Sequence, residues 1–137
     1  MTLDFLSRFH TRKEWATLLL RIITGLLFAF YGAEKLFVGS GLSGFSSMLA
    51  KIGFPIPMYF ASFVAILEFV GGIALVLGLL TRYLSALLTI NMIVATLVVR
   101  GMGMQVWQFP FLLIWLCLFF VFSGAGNYSI DRWLLLR

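Results

Sequence analysis

The chain has 137 residues, of which 62% are hydrophobic and 11% charged, and its mean hydropathy is +1.07. Soluble domains carry roughly 45–50% apolar and about 25% charged residues, so this composition excludes a soluble globular protein and indicates a single membrane domain over residues 1–137. The net charge of +5 comes from Lys and Arg scattered singly at the ends of apolar segments; with no basic stripe, nucleic acid is excluded as a partner and the lipid bilayer remains.

Residues 2–13 set Leu3, Leu6 and Phe9 at helical spacing opposite Arg8, Arg12 and Lys13. That pattern suits a short helix lying on an anionic membrane surface; a frayed basic tail is the alternative. The first span follows at about residues 16–37, close to the ~20 residues that a ~30 Å hydrocarbon core requires. Arg21 interrupts it and no small-x-small site follows, so it does not read as a cleavable signal peptide. Next, "SGFSSMLAKIGFPIP" aligns Phe45, Met48, Leu49 and Ile52 on one face, with Gly53 as stop signal and Pro55 beyond. These features predict a short interfacial helix that lids the outer face of the bundle.

The apolar stretch 58–99 would be ~63 Å long as one helix, twice the hydrocarbon thickness, so it must fold back on itself. "GLLTRY" at 78–83 supplies the break: Gly78 ends one helix, Thr81 caps the next and Arg82 stays in water. The second and third spans then cover about 58–78 and 82–99. A fourth, at about 106–123, ends at "SGAG" and carries Pro110 in its first turn or so, where a missing N–H costs little. The expected fold class is all-α, a membrane-spanning four-helix bundle.

Charge asymmetry orients it. Arg8, Arg12, Lys13, Arg21, Arg82, Arg132 and Arg137 fall on one side, against Lys35, Lys51 and Arg100 on the other. This places both termini in the cytoplasm; the expected location is a bacterial or archaeal cytoplasmic (inner) membrane, as a multi-pass protein. Trp15, Tyr83, Trp107 and Trp133 sit at span ends, as an aromatic belt requires. "NYS" at 127–129 matches a glycosylation sequon, but on a cytoplasmic tail it would go unused.

Several chemistries are excluded. A single cysteine, Cys117, rules out an internal disulfide or two-cysteine thiol exchange. The single histidine, His10, lies outside the spans, which removes bis-histidine haem and a His-based metal cluster. There is no phosphate-binding glycine loop and no Ser-His-Asp set. The sequence therefore offers no catalytic residue, no metal site and no covalently bound cofactor; its chemistry must come from a bound molecule or a partner.

The polar groups inside the spans remain. On the first span Arg21, Gly25, Phe28, Gly32 and Lys35 share one face, with Thr24 and Tyr31 beside it. On the second, Ala61, Ala65, Glu68, Gly72 and Leu75 form a matching stripe. Small residues let helix backbones approach closely in lipid, so these two faces should pack together. Counted from Trp15 and Met58, Arg21 lies ~9 Å inside one edge and Glu68 ~15 Å inside the other, which leaves ~6 Å along the normal. A buried Arg21–Glu68 pair is expected, since an isolated charge costs about 2.5–3.5 kcal/mol on insertion scales. The alternatives are a protonated Glu68 hydrogen-bonded to Tyr31 or Asn91, and an Arg21 that snorkels to the headgroups. Arg21, Thr24, Phe28, Tyr31, Lys35, Glu68 and Asn91 are the candidate ligand-binding residues.

"RIITGLLFAFYGAEKL" (21–36), "GFPIP" (53–57), "LEFVGGIALVLGLLTRYLSALL" (67–88) and "SGAGNYSID" (123–131) together resemble the DoxX family of small four-helix membrane proteins. The resemblance singles out Arg21, Gly25, Gly32, Lys35, Pro55, Glu68, Gly72, Gly78, Arg82, Gly124, Gly126, Ser129 and Asp131. It implies a link to quinone-linked sulfur oxidation, catechol and quinone detoxification, or thiol-stress complexes, with no single reaction. The loop "RGMGMQVWQ" (100–108) has no histidine, where relatives often carry one, which argues against a His-dependent redox or metal role.

Two function classes follow. One is a non-catalytic subunit or accessory factor of an oxidoreductase or detoxification system, binding a lipophilic small molecule such as a quinone between its helices and serving redox partner proteins. The other is a carrier of a small solute or protons, which requires a homo-oligomer because one copy of four short helices leaves little room for a path. A ligand-free scaffold or assembly factor is the plainest alternative. The topology is testable directly: reporter fusions at residues 1 and 137 should both read cytoplasmic and a tag within 39–47 should read external. Opposite signals from the two termini would show that a span had been miscounted.

Overall fold

All regular structure is helical in the computed structural model, which describes the backbone of residues 2–135 and the side chains of residues 12–134. In chain order the helices are α1 (Thr2–Phe37), α2 (Gly41–Ile52), α3 (Pro57–Leu77), α4 (Thr81–Val99), a 3-10 turn (Arg100–Met102), α5 (Met104–Ser123) and α6 (Ile130–Leu135). Four segments are long and apolar enough to cross a membrane: Arg12–Phe37, Pro57–Leu77, Thr81–Met102 and Met104–Ser123. They bracket the four apolar stretches of the sequence.

Three local expectations are corrected. The N-terminal residues do not form a separate surface helix, because α1 runs unbroken from Thr2; no glycine or proline separates residues 2–13 from the span that follows. The amphipathic face expected from Leu3, Leu6 and Phe9 lies outside the described side chains. Pro110 sits inside α5, in its second turn, where its missing N–H costs the helix a bond to the Val106 carbonyl. Thr81 starts α4 but its hydroxyl makes no cap. The capping carboxylate comes instead from Asp131, far along the chain: its Oδ1 accepts from Leu80 N–H at 2.6 Å and its Oδ2 from Thr81 N–H at 2.9 Å. Those bonds hold Leu80 at φ 48°, a conformation that non-glycine residues seldom adopt.

The principal packing pairs are α1 with α3 and α4 with α5. Phe28, Leu75, Leu88, Met92, Leu113 and Cys117 meet between the two pairs as the buried core. Most other large apolar side chains point outward, including Leu19, Phe30, Ile66, Leu97 and Trp115. A soluble protein could not tolerate that surface; in hydrocarbon it is the solvated face.

The approach of α1 to α3 is set by glycine. A Cβ on Gly72 would lie 2.6 Å from the Gly25 carbonyl oxygen, and one on Gly25 would lie 2.6 Å from the Gly72 carbonyl oxygen. A Cβ on Gly32 would strike the backbone at Glu68–Phe69. In lipid, where neither helix gains by leaving water, this backbone proximity provides the van der Waals energy of association. It also fixes register, pairing Gly25 with Gly72–Val76 and Gly32 with Glu68–Phe69.

Residues 124–131 fold back as a strap across the end of the bundle that carries the α3–α4 turn, beside Glu14 and Trp15 of α1. Asn127 N–H donates to Glu14 Oε2 at 2.7 Å, Asp131 N–H donates to the Gly78 carbonyl at 2.9 Å, and the Trp15 and Tyr128 rings lie 5.3 Å apart. Gly78 has φ 72°, and a Cβ there would be 2.8 Å from Arg21 Nη1 and 2.6 Å from Ser129 Cβ. Glycine is needed both for the turn and for the space.

The glycine contact predicts a sharp contrast. Gly72→Val should lower thermal stability in detergent or nanodiscs by several kcal/mol, the scale of severe overpacking, because the obstructing atoms are backbone. Gly101→Ala, with nothing within 4 Å of its added Cβ, should leave stability unchanged. Equal unfolding midpoints for the two variants would refute the close approach.

Candidate ligand-binding site

The register of α1 on α3 decides which charges meet. Glu68 lies level with Gly32–Lys35, whereas Arg21 lies level with the turn after α3, ~18 Å away along the helices. Helical side chains lean toward the helix N-terminus, so Lys35 reaches back from the last turn of α1. Its Nζ donates to Glu68 Oε2 at 2.5 Å. Asn91 on α4 completes the carboxylate, with Nδ2 donating to Glu68 Oε1 at 3.0 Å. Glu68 is 2% exposed and the Lys35 side chain 27%. The buried member thus has both oxygens satisfied while its cation keeps an open side.

The expected Arg21–Glu68 pair is therefore wrong. Counting depth from Trp15 and Met58 treated two helix ends as equivalent membrane edges, whereas glycine contacts set the true offset. Arg21 turns to the strap instead. Its Nη2 donates to the Tyr128 carbonyl at 2.7 Å and its Nη1 to the Ala125 carbonyl. It does not reach solvent by snorkelling, since it is 2% exposed.

Above the core, towards α2, the helices form a half-open cavity of about 530 Å3. Five of the expected residues line it: Phe28, Tyr31 and Lys35 from α1, Glu68 from α3 and Asn91 from α4. Arg21 and Thr24 do not. Sequence reasoning missed the rest of the wall, which includes Phe45, Met48 and Leu49 of α2, Phe54, Phe60 and Phe63, and Phe109, Pro110 and Leu113 of α5. The α2 residues were legible as an apolar face; that this face closes a cavity was not. Ile52, expected on the same face, is 40% exposed.

The wall is apolar with one polar corner. Lys35 Nζ sits 4.8 Å over the Phe45 ring, and Tyr31 packs on Phe109 at 4.9 Å between centroids. Each Glu68 oxygen already accepts one bond; the donors on offer are the remaining N–H groups of Lys35, the second amide hydrogen of Asn91 and, elsewhere in the wall, the Tyr31 hydroxyl. Such a site recognises a largely apolar molecule carrying hydrogen-bond acceptors. Among the described residues, no group of three or more His, Cys, Asp or Glu could hold a metal ion.

A family model described as DoxX matches residues 16–101. A protein of Bacillus subtilis (strain 168) named "Putative oxidoreductase CatD" is 29% identical over 120 residues, covering 86% of this chain and 86% of that protein. An "Uncharacterized membrane protein Rv3486" of Mycobacterium tuberculosis is 26% identical over 138 residues, covering 90% of this chain and 83% of its own. No solved structure matches the chain significantly.

The corrected pairing is measurable in double-mutant cycles on unfolding free energy. Lys35→Met and Glu68→Leu should each destabilise, and the double replacement should recover much of the loss, giving an interaction energy of roughly 1–3 kcal/mol. Arg21→Met and Glu68→Leu should add to within ~0.5 kcal/mol. A large Arg21–Glu68 coupling with none for Lys35–Glu68 would reverse the assignment.

Proposed function

Because the chain belongs to the DoxX family of membrane proteins, we propose that it is a non-catalytic subunit or accessory factor of a membrane redox or detoxification system. In this reading it works in a bacterial inner membrane and holds a quinone-like lipophilic molecule in its cavity. The observation that carries the reading is the cavity's division of labour, aromatic and aliphatic over most of its wall with the bonded Lys35, Glu68 and Asn91 at one corner and Tyr31 in the same wall. The name of the Bacillus subtilis relative, "Putative oxidoreductase CatD", supports a redox setting, and redox partner proteins would supply or take the electrons.

The residues fit such a guest on chemical grounds. A quinone carries two carbonyl acceptors and no donor, and the wall supplies donors from Lys35, Asn91 and Tyr31. Lys35 would hold one carbonyl by a charge-assisted hydrogen bond while Glu68 keeps the ammonium in place. Asn91 fixes Glu68, and Tyr31 lies within the same wall for the second acceptor. Phe45 and Phe109 flank the space for ring contacts. The guest, when bound, would supply the electron chemistry that no side chain of this protein provides.

The carrier reading has less support. The layer of Phe28, Leu75, Leu88 and Cys117 closes the cavity on the side facing the strap, which favours a binding site over a continuous path.

Isothermal titration of the nanodisc-embedded protein with a short-tailed naphthoquinone should show saturable binding. Lys35→Met, folded by circular dichroism, should weaken it about 10–100-fold, the worth of a hydrogen bond to a charged group. Tyr31→Phe should weaken it less. Absence of saturable binding, or a folded Lys35→Met variant with full affinity, would refute the proposal.

A further inference from the structure

A second polar region lies on the other side of the apolar core from the cavity. From the layer of Phe28 and Leu88, one helical turn towards the strap brings Thr24 on α1 and Ser85 on α4; the next brings Arg21 and Thr81. All four side chains are buried, at 2% exposure for Arg21 and 0% for the hydroxyl residues. In every one a polar atom lacks a partner: Arg21 Nε, Thr24 Oγ1, Thr81 Oγ1 and Ser85 Oγ. Phe120 and Ala125, both buried, cover the same level from α5 and from the strap.

Other hydroxyls in these helices behave differently. Thr17 donates to the Lys13 carbonyl at 3.0 Å, Thr89 to Ser85 at 2.7 Å and Thr96 to Met92 at 2.7 Å. Returning the proton to the preceding turn is the ordinary solution for a hydroxyl on a helix. Thr24 and Ser85 forgo it one turn from a guanidinium whose Nε is also unpaired, and Thr81, the first residue of α4, has no preceding turn to bond. Four orphaned groups within two successive turns cost far more than one.

We propose that Arg21, Thr24, Thr81 and Ser85 form a sealed site for ordered water. The chemistry of the surroundings selects the occupant. Arg21 repels a cation. Asp131, whose carboxylate lies 2.9 Å from the Thr81 amide nitrogen, repels an anion. What remains is a small neutral molecule that both donates and accepts, since the hydroxyls do both while Nε only donates. Water meets that requirement, and buried water is the usual partner of otherwise unsatisfied groups. The site is separate from the cavity and independent of any ligand there. It gives Arg21 its missing partner, so that the guanidinium stays charged while its two Nη groups hold the strap.

The sign of a stability change tests this. Thr24→Val and Ser85→Ala remove a hydroxyl with little change in shape. If water bridges these groups, each variant loses a satisfied hydrogen bond and the unfolding midpoint falls by a few degrees. If the site is dry, each variant sheds an unsatisfied polar atom and the midpoint rises, which would overturn the proposal. Water-edited solid-state NMR of the unmodified protein in lipid provides a readout independent of how the variants fold. A transfer from slowly exchanging water to the Arg21 Nε–H is expected, and its absence would refute the site.

Discussion

The backbone contact between α1 and α3 through Gly25, Gly32 and Gly72 is the constraint on which the other features depend. In water, two apolar helices can slide on each other with little change in buried area and still gain from association. In lipid that gain is absent, and affinity comes from the few positions where the backbones come within van der Waals reach. Such contacts are short-ranged, so they define one register. That register sets Glu68 against Lys35, places Arg21 at the α3–α4 turn, and leaves the space towards α2 unfilled.

The bundle neutralises its two buried charges by different means at its two ends. Glu68 is balanced by an ammonium and an amide, each satisfying one oxygen. Arg21 is balanced mainly by peptide carbonyls from the strap, while Asp131, which could have paired with it, spends its oxygens on the amides of Leu80 and Thr81. The second arrangement stitches the chain together, because one carboxylate starts α4, one guanidinium holds the strap, and Glu14 ties that strap to α1. The first leaves donors free at a cavity wall. An end whose charged groups are spent on backbone bonds serves stability, and an end with spare donors at a cavity wall can serve binding.

The relation of α2 to the cavity follows from the same geometry. This helix supplies Phe45, Met48 and Leu49 to the wall, and its contact with the charged pair runs through the Lys35 ammonium above Phe45. Glycines with positive φ lie just before it at Gly39, at its first residue Gly41 and just after it at Gly53. The helix that closes the cavity is thus joined to its neighbours by short turns and rests on the group that would bind a guest.

Much of this was legible in the sequence, for physical reasons that also mark the limit. Span number follows from hydropathy and length, because a bilayer demands ~20 apolar residues whatever the fold. The α1–α3 contact follows from the spacing of small residues, and α2 from its apolar face and its glycine stop. The cluster of Phe28, Tyr31, Lys35, Glu68 and Asn91 was recognisable because polar groups are rare in apolar helices. Sequence periodicity, however, gives the face of a helix and not its height. Only the tertiary structure decided that Lys35, not Arg21, meets Glu68, since the offset between two antiparallel helices is set by backbone contacts between residues far apart in the chain. For the same reason the capping of α4 by Asp131 and the hold of Arg21 on the strap had no local signal: the donors and acceptors lie about 50 and 104 residues apart, and only the folded bundle brings them together.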